Sequence, residues 1–355
     1  MKYRPRDFVI ANRVLVVTTI MFLAALLITC ATILSQRHSG SLVLAAGCWR
    51  DTTCTGPSSA AFPGSWDKYN YSPASRTVSP RIILSSSHEL ISEFPGNAKL
   101  QGNDAQLIFD FQKEVAGIVT VTYSSTGSGS LGLAFTEAKN WTGENSDSSS
   151  GSFQPDGALI VNVTTTEEAN YTMPNDKIRG GFRYLTLFTK SNANTTLELE
   201  IIDISLEIEF QPAWPNLQAY KGYFSSSDDL LNKIWYAGAY TLQTNAIPPS
   251  TGRAFPIVGG GWENNANLDM GTSDPTIYVD GSKRDRTVWA GDLAIAVPSI
   301  LVSTGDADGI RNTIQVLYND QVCSRDGFIF QWCSRAAGQF WSPSLRWSSH
   351  QYLQL

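Results

Sequence analysis

The sequence has little charge, little histidine and no basic surface outside its N-terminus. Of 355 residues, 16% are charged and three are His (His38, His88, His350), while five Cys are scattered along the chain. A zinc site needs about four clustered Cys or His ligands, so we expect no metal site and no cofactor. The first forty residues carry a local charge of +4 and the other 315 sum to −10. Because a nucleic-acid-binding protein needs a basic face to neutralise phosphates, that class is excluded.

Apolar and aromatic residues are abundant. The chain is 42% hydrophobic and has 10 Trp, 13 Tyr and 16 Phe, which is too many for a disordered protein. At about 100–200 residues per domain, the length predicts about two folded domains.

Residues 14–34 form the longest apolar run, 21 residues without a charge. About 20 apolar residues span a bilayer as a helix, and the basic residues before them favour a cytoplasmic N-terminus. We therefore expect residues 1–40 to be a cytoplasmic tail and a signal anchor that places the chain in the membrane. Because apolar runs of signal peptides are usually shorter, about 7–15 residues, a signal cleaved near Gly47 is the alternative. In either case the rest of the chain is expected to be luminal, extracellular or secreted.

Glycosylation sequons support the secretory pathway. Five Asn-X-Ser/Thr triplets occur between residues 70 and 194, and Pro73 weakens the first of them, at Asn70. We expect a glycoprotein modified at the remaining four positions: Asn140, Asn162, Asn170 and Asn194.

Cysteine spacing agrees with an oxidising compartment. Cys48 and Cys54 are close enough in sequence for a small loop, and so are Cys323 and Cys333. We predict these two disulfides, with free thiols as the alternative. Residues 41–80, rich in Ser, Thr, Pro and Gly, are typical of an extended, loop-rich segment that leads into the first domain.

Residues 81–214 show hydrophobicity of period two. Leu107, Phe109 and Phe111 alternate with polar neighbours, and similar short runs follow, separated by Gly, Asn, Asp and Ser. Several short alternating strands with such turns predict an antiparallel β-sandwich. Near residue 201 the phase of the alternation flips to Ile202 and Ile204, which predicts a β-bulge.

Helical periodicity begins in the last segment, residues 215–355. Asp or Ser before Leu230 can cap a first helix that ends near Thr244. A second helix is predicted over 291–302, where Pro298 must kink or end it. A third is predicted from a cap at Asp306 to Val322. The long stretch 246–288 between the first two helices is rich in Gly, Pro and Asn, and such loops are usually functional.

Residues 280–292 concentrate the groups that could carry chemistry. Glycoside hydrolysis needs one protonated carboxyl that donates a proton to the leaving oxygen and one ionised carboxylate. Clustered acids separate one another's pKa values, and an aromatic ring offers a flat face to a sugar. The alternative is a solvated loop in which the acids pair with the basic residues. The groups are three carboxylates (Asp280, Asp285, Asp292), three cations (Lys283, Arg284, Arg286) and Trp289.

Four motifs carry a resemblance to a known family. They are Cys48-Trp-Arg-Asp-Thr-Thr-Cys54, Gly180-Gly-Phe-Arg-Tyr-Leu185, Tyr223-Phe-Ser-Ser-Ser-Asp-Asp-Leu-Leu-Asn-Lys-Ile-Trp235 and Asp280-Gly-Ser-Lys-Arg-Asp-Arg-Thr-Val-Trp-Ala-Gly-Asp292. Together they resemble the α-L-rhamnosidases of glycoside hydrolase family 78, in the form seen in fungal members.

The resemblance implies a multidomain α+β protein, with a β-sandwich before an (α/α)6 barrel, the six-hairpin glycosidase fold. It implies an inverting hydrolase that releases terminal α-L-rhamnose from glycosides or polysaccharides. Asp285 would be the general acid, which many bacterial members replace with Glu. Asp280 and Asp292 would line the sugar pocket, and Arg284 and Trp289 would be their neighbours.

The same resemblance places the general base in a downstream Glu, whereas residues 215–355 contain only Glu263. About two of six helical hairpins fit in that segment, so a C-terminally truncated, partial barrel is expected. Two alternatives follow. One is another six-hairpin glycosidase, and the other is a non-catalytic, membrane-tethered carbohydrate-binding protein.

Overall fold

The computed structural model describes residues 48–50, 52–149, 155–192, 195–253 and 276–321. These ranges belong to one compact unit, Gly47–Leu355. The predicted anchor at 14–34 lies outside the described residues, and no described helix has the length and apolarity to cross a membrane. Asn194, Cys323 and Cys333 also lie outside the described residues.

Eight strands form one antiparallel sheet, in which β5 is the central member. Along the sheet the order is β1-β8-β5-β2-β3, while β4 pairs with β8, and β6 and β7 pair with β5. The prediction of antiparallel strands in residues 81–214 is confirmed. The strands are β1 Thr77–Val78, β2 Ile82–Ser85, β3 Leu90–Glu93, β4 Lys99–Gln101, β5 Gln106–Thr136, β6 Leu159–Thr172, β7 Arg179–Ser191 and β8 Glu198–Ile208.

Strand β5 is long enough to belong to two groups of strands. Its first and last parts flank β7 on opposite sides, so that Leu187 lies opposite both Leu107 and Leu133. Its middle part lies between β8 and β6, where Val121 faces Ile204 and Tyr171. The central strand therefore passes from one group of strands to the other and back.

The predicted β-bulge lies at Ile202. Thr122 pairs with Asp203 and the next residue, Tyr123, pairs with Ile201, so Ile202 is the extra residue of β8. Its side chain is exposed, whereas Ile201 and Ile204 on either side are buried. One inserted residue thus returns both halves of the strand to the core face.

The inward faces of the strands form one large apolar core. Phe135 and Phe182 meet edge to face at 4.9 Å between ring centroids, a geometry that aromatic pairs prefer. Each fully buried large apolar side chain contributes about 1.5–3 kcal/mol, so this core dominates the stability of the sheet.

The lead-in segment docks against the end of β8. Cys48 and Cys54 form a disulfide, and the buried Trp49 between them donates its backbone N–H to the carbonyl of Pro212 at 2.9 Å. The buried guanidinium of Arg76 donates to four backbone carbonyls, those of Ile208, Phe210, Gln211 and Trp214.

Within the described part of the chain, three α-helices follow the sheet, and each begins near its predicted position. They are α1 Asp229–Thr244, α2 Ala290–Val302 and α3 Ala307–Gln321, with a two-stranded sheet of β9 Ala246–Ile247 and β10 Ile277–Tyr278 between the first two. Asp228 caps α1 by accepting from the N–H of Leu230 at 2.8 Å. Asp306 accepts from the N–H of Gly309 at 3.0 Å at the start of α3. Pro298 lies inside α2, which continues to Val302.

Helix α1 joins the sheet through buried groups on one face. Tyr236 and Tyr240 belong to the sheet's own core, and the Tyr240 hydroxyl donates to the carbonyl of Glu114 at 2.6 Å. The buried side-chain amide of Gln243 donates to the carbonyl of Leu217 at 2.8 Å. The described helices are a short array that rests on the sheet, and the predicted barrel is not shown by them.

Candidate functional site: an acidic loop closed on itself

The acidic motif forms a closed loop between β10 and α2. The backbone N–H of Asp280 donates to the carbonyl of Thr287 at 3.0 Å, and the N–H of Thr287 donates to Oδ1 of Asp280 at 3.1 Å. A third N–H, from Gly281, reaches the same Oδ1 at 2.9 Å. Residues 280 and 287 thereby join the two ends of the loop.

Two consecutive residues in this loop have left-handed backbone conformations. Asp285 has φ 61° and Arg286 has φ 51°. Such conformations cost about 1–3 kcal/mol each for residues other than glycine and persist only where the surroundings enforce them. They also reverse the chain direction, which turns the Arg286 side chain inward.

Arg286 anchors the loop from within. Its side chain is 1% exposed, and its Nη2 donates to Oε2 of Glu209 at 2.9 Å. Nε donates to the carbonyl of Thr251 at 3.0 Å, and Nη1 donates to the carbonyl of Ser282 at 2.5 Å. One guanidinium therefore ties the loop to the end of the sheet and to the 3-10 turn that follows β9.

Two adjacent glycines of β7 let the loop approach the sheet. A Cβ on Gly180 would lie 1.9 Å from the carbonyl oxygen of Ser282, and a Cβ on Gly181 would lie 2.7 Å from Cβ of Lys283. Gly181 also has φ +62°, which favours glycine. The Gly-Gly-Phe-Arg motif therefore has a steric reason, since only glycine leaves room for the loop backbone.

Asp280 and Asp285 form a carboxyl pair. The pKa of Asp280 is raised to about 7, chiefly by burial and also by the charge and hydrogen bond of Asp285 and the charge of Asp292, while the hydrogen bond from the N–H of Thr287 opposes the rise. Two carboxyls bond to each other only when one carries a proton, because like charges at this range repel. The pKa of Asp280 therefore lies near neutral pH, while Asp285 keeps 23% of its side chain exposed.

Three of the predicted site residues line one small cleft of about 20 Å³: Asp280, Trp289 and Asp292. Leu242 of α1, Asn245 at the C-terminus of α1, and Tyr278 also line the cleft. Trp289 is the N-cap residue of α2, and the exposed Asp292 lies in the first turn of that helix. The helix start thus brings an aromatic ring and a carboxylate to the part-buried carboxyl of Asp280.

In a simple solvated loop the basic residues would pair with the acids of the same loop. Here two of the three cations of the loop pair with acids outside it. Lys283 pairs with Glu137 of the segment after β5 at 2.5 Å, and Arg286 pairs with Glu209. Arg284 is the exception, because its Nε lies 3.8 Å from Oδ1 of Asp285, with both groups partly exposed. Two of three cations therefore attach the loop to the sheet, and Asp280 is left beside other acids.

Several residues that build the site were not predicted as such from the sequence. Glu209, Thr251 and Asn245 carried no motif signal, and Arg286 was noted only as a nearby cation. The adjacent glycines at 180 and 181 were the one available signal, since glycine inside a strand marks a close approach of another backbone.

A second concave surface lies on the sheet, away from the loop. It measures about 460 Å³ and is lined by polar groups of β4, β5, β6 and β8. Among its lining side chains, Lys99 pairs with Glu200 at 3.3 Å, and Gln101 donates to Glu198 at 2.7 Å.

Three of the sequons with described structure have exposed Asn side chains: Asn140, Asn162 and Asn170. Asn70 differs, because its side chain donates to the carbonyl of Gln218 at 3.2 Å and accepts from the N–H of Ser72 at 3.0 Å. Glycosylation at Asn140, Asn162 and Asn170 stays a prediction.

Comparison with known proteins gives structural neighbours only. No protein-family model matches the chain, and no curated protein matches it. A rhamnosidase from Klebsiella oxytoca with rhamnose bound is 18% identical, with a TM-score of 0.46 over 67% of this chain and 43% of that one. A family 78 rhamnosidase of Bacillus sp. GL1 is 17% identical, with a TM-score of 0.41 over 59% of this chain and 17% of that one.

An α-L-rhamnosidase from Dictyoglumus thermophilum is 16% identical, with a TM-score of 0.39 over 69% of this chain and 21% of that one. The chain therefore spans less than half the length of each of these three enzymes.

Proposed function

We propose that this protein belongs to an α-L-rhamnosidase lineage and acts on terminal α-L-rhamnosyl residues of glycosides or polysaccharides. The observation that carries the proposal is the cleft shared by Asp280, Asp292 and Trp289, in which the pKa of Asp280 is raised to about 7. A glycosidase needs such a retained proton, because the leaving oxygen must be protonated as its bond to the sugar breaks.

In the proposed reaction, Asp285 is the general acid, as the family resemblance implies. Its side chain is partly exposed, and it lies beside Asp280, whose pKa is raised to about 7. The sugar ring would lie over the mouth of the cleft against Trp289, with Asp292 and Arg284 beside its hydroxyl groups. The water-activating carboxylate of an inverting reaction is, in the family's pattern, a downstream Glu, and residues 215–355 contain only Glu263, which does not match it by motif position.

The same proposal extends to architecture and location. The two groups of strands joined by β5 would be the two layers of a β-sandwich, and α1 to α3 would be the first helices of a six-hairpin barrel. Residues 14–34 would direct the chain into the secretory pathway as an anchor or cleaved signal. The exposed sequons at Asn140, Asn162 and Asn170 would then carry glycans.

The test is hydrolysis of aryl α-L-rhamnosides by the purified chain. Turnover would support the proposal, and Asp285→Asn should lower kcat by about 10²–10⁴-fold, the usual contribution of a general acid. The loss should be larger for substrates with poor leaving groups, which depend most on protonation. Asp308→Asn is the matched control, because Asp308 is an exposed aspartate of α3 that pairs only with Arg311 among the described residues, and its kcat should not change.

A second candidate is saccharide binding without hydrolysis, and the polar groove on the sheet favours it. Calorimetry with rhamnose and with rhamnose-containing oligosaccharides separates the two functions. Binding without turnover by folded protein would support the second candidate and contradict the first. Neither binding nor turnover would contradict both.

A further inference from the structure

Arg286 is the most heavily bonded side chain of the acidic loop, yet it does not line the cleft. It is buried against Glu209, Thr251 and Ser282, as described above, and it follows directly after Asp285 in the chain. The left-handed conformations of Asp285 and Arg286 mean that the direction of one side chain constrains the other. The inward guanidinium and the Asp285 carboxyl are therefore two parts of one constrained turn.

We propose that Arg286, held by Glu209, is a positioning residue that keeps the Asp285 carboxyl against Asp280. The inference rests on the proposed function, because the Asp280–Asp285 pair that Arg286 would position is the proposed proton source. Glu209 supplies the fixed end, since it is fully buried and its own N–H donates to the carbonyl of Ala116 at 3.2 Å. The planar fork of arginine suits this task, because it reaches three segments at fixed angles.

Alternative restraints on Asp285 within the described residues are weaker. Its backbone N–H donates to the carbonyl of Ser149 at 3.3 Å. The Arg284 side chain is 58% exposed and 3.8 Å away, and an exposed pair of this kind contributes little. The buried bonds of Arg286 are thus the main restraint that opposes the strain of the turn.

The experiment uses the carboxyl ¹³C signal of Asp280, followed by NMR across pH in the full chain. Arg286→Lys keeps the positive charge, so the direct electrostatic effect on Asp280 is nearly unchanged. It loses the planar guanidinium that bonds to three segments. If the turn relaxes, Asp285 moves away and water reaches Asp280. The midpoint of the Asp280 titration should then fall by about one pH unit.

Arg76→Lys is the matched control. Arg76 is also a buried arginine with four hydrogen bonds, and it binds the same end of the sheet at residues 208–214 without contacting the loop. Both variants should lose a similar amount of thermal stability, measured as Tm, whereas only Arg286→Lys should shift the Asp280 titration.

An unchanged titration in Arg286→Lys would overturn the proposal, and so would an equal shift in both variants, because that would indicate a general loss of packing. This readout is independent of turnover. Absence of rhamnoside hydrolysis by the wild-type chain would contradict the proposed function and leave the positioning role to be decided by the titration. Where turnover occurs, the alkaline limb of the pH–rate profile should move with the Asp280 midpoint in Arg286→Lys only.

Discussion

The sheet and the helices of this protein bury their apolar residues to very different extents. Along β5, β7 and β8 the inward side chains are almost all inaccessible to solvent. The three helices bury one face each and leave other large apolar residues exposed: Leu230, Leu231, Ile234, Ile295, Leu301, Val302, Ile314 and Tyr318. The sheet is therefore stabilised by one large core, whereas α2 and α3 share a smaller apolar cluster with β9 and β10 and leave more apolar surface exposed.

The acidic loop is attached to the sheet by polar and close backbone contacts, and the candidate site lies there. The Arg286–Glu209 pair and the Gly180–Ser282 contact attach the acidic loop to the sheet. A well-packed sheet thus serves as the rigid support on which a strained loop with clustered acids is held, which is the arrangement expected of a functional site.

The largest expected effect is in the core of the sheet. Phe135→Ala removes a fully buried ring packed against Phe182, and we expect a loss of about 3–5 kcal/mol in the free energy of unfolding. Urea denaturation followed by tryptophan fluorescence measures it. A loss below about 1 kcal/mol would contradict the view that the sheet is stabilised by this core.

A smaller effect is expected where the loop meets the sheet. Gly180→Ala places a methyl group against the Ser282 carbonyl, so the loop must move, at a cost of about 1–3 kcal/mol. Because the loop holds the acids, hydrolysis should fall more than the loss of folded protein explains. Ala98 is a buried alanine of the sheet core outside the site, and Ala98→Gly is a control that should reduce stability and leave kcat unchanged.

The cap of α1 should contribute about 1 kcal/mol. Asp228→Ala removes the acceptor for the N–H groups of Leu230 and Leu231 at a helix start, a change that typically costs about 0.5–2 kcal/mol. Asp228→Asn retains an acceptor and should recover most of the stability. Equal unfolding free energies for the alanine variant and wild type would show that this helix end needs no side-chain acceptor.

The smallest effect is expected on the exposed helix surface. Ile295 is 77% exposed, so Ile295→Ala should change the free energy of unfolding by less than about 0.5 kcal/mol. Compared with Phe135→Ala under the same conditions, it measures the difference between the two regions directly. A loss of several kcal/mol would mean that this surface is covered in solution.

Local features of the fold were predictable from the sequence, whereas the contacts between segments distant in the chain were not. The caps at Asp228 and Asp306 and the bulge at Ile202 depend on residues close in the chain, so their spacing was sufficient. Arg286 and Glu209 are 77 residues apart, and no periodicity or composition identifies such a pair.

The candidate site shows the same division. Asp280, Trp289 and Asp292 were predicted together and lie on one cleft. The pairing of Asp280 with Asp285 depends on two left-handed residues and on the closure between residues 280 and 287, which only the folded loop shows.

The central claim is that Asp280, beside Asp285, keeps its proton up to about neutral pH, and the ¹³C carboxyl titration of Asp280 in the wild-type chain and in Asp285→Asn tests it most directly. Because the pKa of Asp280 is raised from 3.8 to about 7, the proton is present below that range and is lost as pH rises through about 7. We predict a wild-type midpoint near 7 and a lower midpoint in Asp285→Asn, which removes the neighbouring charge. A wild-type midpoint near 3.8 would contradict the account.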